Sequence, residues 1–462
     1  LKIYISNKIM IKAPPQNLVN ILKKKFTLEN PKWIENNNMG RWNGNTEKHL
    51  HFYTENETGS IEIPRGYARQ LILLCRHHQI QYELEDNRRV FPELNFHFNG
   101  QLKDFQKKAA DAMLAKEFGT LNAPTGSGKT VMALYMTEKR KQPTLILVHT
   151  KDLAFQWIER IETFLKIPQD DIGFIGSGKK SIGEKITVAL VQSIYKITDE
   201  VAPHISHLIV DECHRAPSKT FTEAVSAFDA KYSLGLSATL FRRDRLSKLI
   251  FWYLGDKHHE VDKAQLLEAG DILSAEVVIR ETEFKPFSDP SKNYSKMISE
   301  LISDDKRNHL IASDIAKEIQ ESSGVCLVLS DRKKQCKTIQ ALLKYKYQTA
   351  SELLTGDTGN SQRAEIIQKL NDGRINVLIS TGQLIGEGFD ADNLSTLFLT
   401  TPIKFSGRVL QYLGRILRPG PDKKIARVFD YVDVNVDILR NSAKARQMVY
   451  KKQGGINKSS ET

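Results

Sequence analysis

The stretch Ala123-Pro-Thr-Gly126-Ser127-Gly128-Lys129-Thr130 decides the fold. Closely spaced glycines let a loop turn its backbone N–H groups inward around phosphates, a lysine meets the β/γ oxygens, and a hydroxyl reaches a magnesium ion. The run from Thr130 to Met136 is rich in helix formers, so the phosphates are expected at a helix N-terminus. Gly126, Ser127, Gly128, Lys129 and Thr130 are therefore the expected cradle for ATP, with Mg²⁺ on Thr130. Ala123 stands where the general pattern carries glycine. An ordinary glycine turn before a helix is the plain alternative, and the partners downstream argue against it.

His207-Leu-Ile-Val210 is an apolar run of the kind that forms a buried parallel strand. Asp211 and Glu212 follow at its carboxyl end, where α/β sheets bind ligands. Asp211 is expected to hold Mg²⁺ and Glu212 to orient or deprotonate the attacking water, since phosphoryl transfer asks for positioning and charge compensation. A second short strand, Tyr232-Ser-Leu-Gly-Leu236, delivers Ser237 and Thr239 to the same edge. Their hydroxyls, with His214, are read as coupling groups beside the acidic pair.

Gln411-Tyr-Leu-Gly414-Arg415-Ile-Leu-Arg418 adds arginines able to reach the same nucleotide from a second domain; alone it would be a basic helix face. A further glycine–lysine segment, Gly173-Phe-Ile-Gly-Ser-Gly178-Lys179-Lys180, places Lys180 where the metal-binding hydroxyl belongs and lacks an acidic partner. It is expected to be a basic surface loop.

In order and combination these segments resemble the motifs of superfamily 2 helicases and translocases, from about Gln101 to about Asp433. Leu102-Lys-Asp-Phe-Gln106 is similar to the glutamine motif of that family, which implies that Gln106 reads the adenine edge. Leu145-Ile-Leu-Val-His-Thr150-Lys-Asp-Leu-Ala-Phe-Gln-Trp157 resembles a motif that grips nucleic-acid phosphates, with Thr150 the implied contact. Val188-Ala-Leu-Val-Gln192-Ser193 resembles the next such motif, through Gln192. Thr355-Gly356-Asp357 and the segment Ser380-Thr381 to Gly388-Phe-Asp390 resemble second-lobe motifs. The likeness implies that Thr355 and Thr381 touch nucleic acid and that Gly388 and Asp390 face the nucleotide. Gln411 is then a coupling residue, and Arg415 and Arg418 resemble arginine fingers.

Within the superfamily the resemblance is closest to the XPB-type and UvsW-type DNA motors. Gly235-Leu-Ser-Ala-Thr-Leu-Phe-Arg242-Arg243-Asp244 is similar to an XPB segment with an Arg-Glu-Asp triplet, although arginine occupies the middle place here. The last motif opens on Gln411 rather than the histidine of DEAD-box proteins. The acidic motif reads Asp-Glu-Cys-His rather than Asp-Glu-Ala-Asp. Both departures favour DNA over RNA.

The resemblance implies an α/β fold: two tandem RecA-like parallel-sheet lobes preceded by a small α+β N-terminal domain. The expected pieces are residues 1–95, a recognition-like domain; 96–270, the first lobe; 271–455, the second; and 456–462, a flexible tail. The span from Asp390 to Gln411 leaves no room for a large strand-separating hairpin. The expected activity is therefore ATP-dependent remodelling of forks, junctions or R-loops, as in DNA repair, recombination and branch migration. A restriction or defence motor subunit, an RNA helicase and an ATP-gated DNA-binding switch are the alternatives.

Charge agrees with a polyanionic partner: 67 Lys and Arg against 55 Asp and Glu give a formal net charge of +12. Arg440, Lys444, Arg446, Lys451, Lys452 and Lys458 cluster late, either as a DNA-contacting extension or as a solvated end. The charged stretch Glu281 to Asn308 reads as a solvated linker plus a helix. Near the start, Trp33 and Gly40-Arg41-Trp42-Asn43-Gly44 offer Arg41 and Trp42 to exposed bases. Burial of Trp33 and Trp42 in a small core is the favoured reading.

Cys75, Cys213, Cys326 and Cys336 show no paired metal spacing, so a reducing, cytoplasmic or nucleoid-associated setting is expected. No apolar run approaches membrane length. The first residue is Leu1, so upstream domains or protein partners are expected to be missing from this piece.

Overall fold

The computed structural model describes residues 1–57, 59–215, 219–238, 246–322, 324–382, 393–403, 409, 412–414, 416, 417, 419, 423, 426–452 and 455–458. Two compact units emerge: Leu1–Pro124 with Gly128–Val261, and Thr125–Ser127 with Asp262–Thr462.

The first unit opens with β1 (Lys2–Ile5) and β2 (Lys8–Lys12), paired antiparallel. Their period-two pattern puts Ile3, Ile5, Ile9 and Ile11 inside. A short ribbon of β3 (Thr27–Glu29) and β4 (His49–His51) follows. Next come β5 (Thr54–Glu55), β6 (Ile61–Pro64) and β7 (Glu83–Asp86), and the sheet order is β5-β6-β2-β1-β7. Helix Gln16–Lys25 lays Leu18 and Leu22 against this sheet.

The sheet that follows comprises β8 (Phe118–Asn122), β9 (Thr144–Val148), β10 (Gly173–Gly176), β11 (Lys179–Lys180), β12 (Ile186–Leu190), β13 (His207–Val210), β14 (Tyr232–Ser237) and β15 (Lys257–Glu260). Their order is β11-β10-β12-β9-β13-β14-β8-β15, and every pairing except β10–β11 is parallel. Every residue of β9, β12 and β13 is buried, as expected of strands covered on both faces.

These two sheets share one core. Helix Ser247–Leu254 of the second sheet's layer sends Leu249 and Trp252, with the preceding Leu246, into the N-terminal cluster. Trp252 lies 4.7 Å from Phe26 and 5.6 Å from Phe52, centroid to centroid. Gly66 allows the approach: a Cβ there would stand 2.5 Å from both Gly255 N and Phe251 O, backbone atoms that have nowhere to go. Polar contacts close the seam. Arg65 Nη1 donates to Ala230 O at 2.8 Å, and burial pushes that guanidinium down to about 10. Arg89 pairs with Asp229 at 3.0 Å, and Lys231 with Asp86 at 2.7 Å.

Residues 1–95 therefore cannot be removed without uncovering Trp252 and Leu249. Trp252→Ala in the full chain is expected to cost about 3–5 kcal/mol, and Gly66→Ala to lower the melting temperature as well. A thermal melt checks both, and an unchanged melt for Trp252→Ala would contradict a shared core.

The expected burial of Trp42 is overturned, because its side chain is 91 % exposed. The loop is tied by its backbone to the end of helix Pro31–Asn38, with Arg41 N–H donating to Asn36 O at 2.8 Å, and the Trp42 ring folds over Gly44. Trp33 is half-buried, with Lys48 Nζ 5.3 Å from its ring centre.

The second unit holds β16 (Ala275–Thr282), β17 (Val325–Ser330), β18 (Glu352–Leu354), β19 (Val377–Thr381), β20 (Leu394–Leu399), β21 (Ala426–Asp433) and β22 (Ile456–Lys458). Their order is β18-β19-β17-β20-β21-β16-β22, parallel throughout. Residues 456–458, expected in a free tail, thus form an edge strand.

Two readings of charge are corrected here. The stretch Glu281 to Asn308 is not a solvated linker. Phe284 packs with Met297, Ile298 and Leu301 against Val436 and Leu439, and Arg307 forms a buried ion pair with Asp433 at 2.7 Å. Arg446 does not belong to a basic surface either. Its guanidinium and the Tyr450 hydroxyl both donate to buried Asp430, at 2.7 Å and 2.9 Å, docking helix Asp437–Lys452 on β21. Buried charges in these places have the partners that burial demands.

Candidate nucleotide and nucleic-acid site

The cradle begins where β8 ends. Ala123 N–H donates to Ser237 O at 2.9 Å, tying the loop to β14. Gly126 and Gly128 hold φ of 87° and 81°, the left-handed region that glycine occupies at no steric cost. Helix Lys129–Arg140 starts at once, with Gly128 as its N-cap, so its first N–H groups face the loop. Lys129 Nζ turns over the loop, donating to Ala123 O at 3.1 Å. Gln106 sits in the first turn of helix Asp104–Leu114, where its Oε1 accepts the Lys103 N–H at 3.0 Å. Its Nε2 lies so near Gly128 that a Cβ there would come within 2.4 Å, which places the amide on the cradle.

The acidic pair leaves β13 on the neighbouring part of the same edge. Asp211 Oδ1 accepts the Glu212 N–H at 2.9 Å, and Oδ2 accepts the Trp157 indole N–H at 2.9 Å. Glu212 adopts φ of +47°, a strained conformation for a residue with a side chain. His214 Nδ1 lies 3.0 Å from Ser237 Oγ and 3.2 Å from Glu212 Oε2, so one ring nitrogen faces both groups. Burial, then the Glu212 charge, pushes the Asp211 carboxyl up. For Glu212 burial pushes the same way but is outweighed by the His214 contact and by the charges of Lys129, His214 and Arg215, which hold it down.

A carboxylate on Asp211 and a hydroxyl on Thr130 at the head of the cradle helix are hard oxygen donors. They fit Mg²⁺, which takes one or two carboxylates and completes its shell with water and substrate phosphates. Among the described residues no group of three or more His, Cys, Asp or Glu side chains could hold a metal by itself.

Thr150 and Gln192 stand two residues beyond β9 and β12, adjacent parallel strands, and β9 pairs in turn with β13. All three strands therefore deliver their following residues to one edge. Thr150 is the N-cap of helix Lys151–Leu165, its hydroxyl accepting the Leu153 N–H at 3.4 Å. Gln192 is exposed. The segment Gly173 to Lys180 is a hairpin of β10 and β11 turning through Ser177 and Gly178, with no helix after it, so it is no second cradle.

In the second unit Thr381 ends β19 half-buried, and Thr355 follows β18, buried, with its hydroxyl accepting the Asp357 N–H at 3.3 Å. Arg41 and Trp42 are exposed on the N-terminal domain. Thr239, Gly388, Asp390, Gln411, Arg415 and Arg418 lie outside the described residues. Trp157 was not singled out from sequence as a site residue. Its place, about two turns beyond the implied phosphate grip, was the available signal.

Residues 99–242 match the family described as type III restriction enzyme, res subunit, and residues 303–420 match the helicase conserved C-terminal domain. A putative ATP-dependent RNA helicase of Acanthamoeba polyphaga mimivirus is 27 % identical, over 79 % of this chain and 70 % of its own length. The DNA 3'-5' translocase XPB2 of Sulfurisphaera tokodaii is 28 % identical, over 74 % of this chain and 85 % of its own. The ATP-dependent DNA helicase uvsW of Enterobacteria phage T4 is 24 % identical, over 71 % and 68 %. Among solved structures, a fragment of a putative HsdR subunit of a type I restriction enzyme from Vibrio vulnificus has a TM-score of 0.60 at 18 % identity. It covers 78 % of this chain and 69 % of that one, a likeness of fold. The chain thus carries two matched domains, one of them the helicase conserved C-terminal domain, and is similar along most of its length to XPB-type and UvsW-type DNA helicases. No helix among the described residues is long and apolar enough to cross a membrane.

Proposed function

We propose that the chain is an ATP-driven DNA translocase that remodels forks, junctions or R-loops. The observation that carries this reading is the single sheet edge on which Lys129, Asp211, Glu212, Thr150 and Gln192 all stand. An edge that holds both a nucleotide and a strand can convert one chemical event into one displacement. Support for DNA comes from the names of the Sulfurisphaera and phage T4 relatives and from the net charge of +12.

In this reading Gly126, Ser127 and Gly128 present backbone N–H groups to the phosphates and Lys129 neutralises the β/γ charge. Gln106 contacts the base. Thr130 and Asp211 hold Mg²⁺, which supplies charge neutralisation at the phosphates. Glu212 orients the attacking water and accepts its proton. His214 and Ser237 tie that carboxylate to β14, and Arg415 and Arg418 compensate charge on the transferred phosphoryl group. Thr150, Gln192, Thr355 and Thr381 hold the strand.

Steady-state ATPase with single strands, duplex, fork, four-way junction and RNA tests this. A translocase runs faster on longer DNA and best on branched DNA. Best stimulation by RNA would match the mimivirus relative and overturn the DNA reading, and no length dependence would leave an ATP-gated switch.

Arg41→Ala should weaken branched-DNA binding and reduce its salt slope by about one. Trp42→Ala should weaken it by the loss of one stacked base, about 1–3 kcal/mol, without moving the melt, because the ring is exposed. Unchanged affinity for both would remove the N-terminal domain from recognition.

A further inference from the structure

Trp157 is 1 % exposed, on the face of helix Lys151–Leu165 that also buries Ala154, Ile158 and Ile161. A buried indole N–H must find an acceptor, and any nearby backbone carbonyl would serve. Here the acceptor is Asp211 Oδ2, 2.9 Å away. The other oxygen, Oδ1, takes the Glu212 N–H. With a donor on each oxygen, the plane of the carboxylate is fixed from two independent elements: its own strand end and a helix on the sheet face. The same helix is capped by Thr150, the residue read as a phosphate contact. Trp157 lies seven positions beyond that cap, a rise of about 10 Å along one stiff element.

We propose that Trp157 is a positioning residue: through its indole N–H it sets the orientation of the Asp211 carboxylate, and it transmits strand binding at Thr150 to that carboxylate. One helix thus carries the strand contact at its N-cap and, at its middle, the donor to the metal-binding carboxylate. Movement of the helix by an ångström carries a 2.9 Å contact to the limit of hydrogen bonding, so a small shift on strand engagement re-aims the carboxylate. The inference rests on the reading of Asp211 as a Mg²⁺ ligand. It adds a residue that touches neither nucleotide nor nucleic acid.

The test uses the full chain with Trp157 replaced by its benzothiophene isostere, which keeps the ring volume and lacks the N–H. Trp157→Phe serves as a second variant, read beside a melt. Mg²⁺ is titrated against binding of a fluorescent ADP analogue, and ATPase is measured with and without a long duplex. The isostere is expected to raise the Mg²⁺ concentration for half-saturation about tenfold, as loss of a hydrogen bond to a metal-binding carboxylate does elsewhere. It should lower the ratio of DNA-stimulated to basal turnover by a similar factor, while the melt and Mg²⁺-free nucleotide binding stay as in the parent.

A parent-like Mg²⁺ dependence overturns the positioning role, and a parent-like stimulation ratio overturns the transmission. Asp211→Asn run in parallel separates the two levels. If it leaves the Mg²⁺ dependence unchanged, the reading of Asp211 itself falls. If it abolishes that dependence while the isostere changes nothing, only the role of Trp157 falls.

Discussion

Glu212→Gln stops turnover while leaving ATP bound. The amide keeps the shape of the side chain and can still face His214, but it cannot accept a proton from water. Hydrolysis is expected to fall by roughly two to four orders of magnitude, the range that general base catalysis supplies. Nucleotide affinity should change little, because the cradle and Asp211 are intact. Single-turnover hydrolysis beside equilibrium binding of ATP checks both halves. Near-normal turnover would remove Glu212 from the role of base and send the search to another group on that edge.

Lys129→Ala has the complementary signature. The ammonium lies over the cradle, donating to Ala123 O, and with nucleotide bound it is expected to turn to the phosphates. Its loss should lower hydrolysis by on the order of 10²–10³, as for removal of one preorganised donor to a charged transition state. Nucleotide binding should weaken as well, whereas DNA binding without nucleotide persists, since Thr150 and Gln192 lie on other strand ends. Loss of DNA binding in parallel with ATPase would show that the lysine supports the fold of the edge rather than the phosphates alone.

Local grammar made much of this legible. The continuous apolar run His207–Val210 read as a buried parallel strand, and it is one. The cradle followed from glycine spacing, because only a few residues can take its backbone angles. The false cradle, set aside for Lys180 and a missing acidic partner, is a hairpin with no helix after it.

What sequence could not give were partners distant along the chain. Phe26 and Trp252 meet across more than two hundred residues, and no periodicity announces that a helix of one sheet completes the core of another. Arg446 read as part of a basic run because its partner, Asp430, stands on a strand outside the run. Trp42 failed in the opposite sense: an aromatic beside glycines invited burial, yet its ring stands 91 % exposed over Gly44. For Trp157 the burial was legible from the helix face, but the atom its N–H meets is a fact of tertiary structure.

The seam around Trp252 and Gly66 also sets a mechanical rule. Because Leu249 and Trp252 bury into the N-terminal cluster and Gly66 lets the two backbones touch, the N-terminal sheet and the one bearing the cradle form one mount. The N-terminal sheet and Thr150 then keep a constant separation at every stage of the cycle, like marks on a ruler. A branch point held at the first mark would be hauled at the same stride as the strand held at the second, and no slack could gather between them.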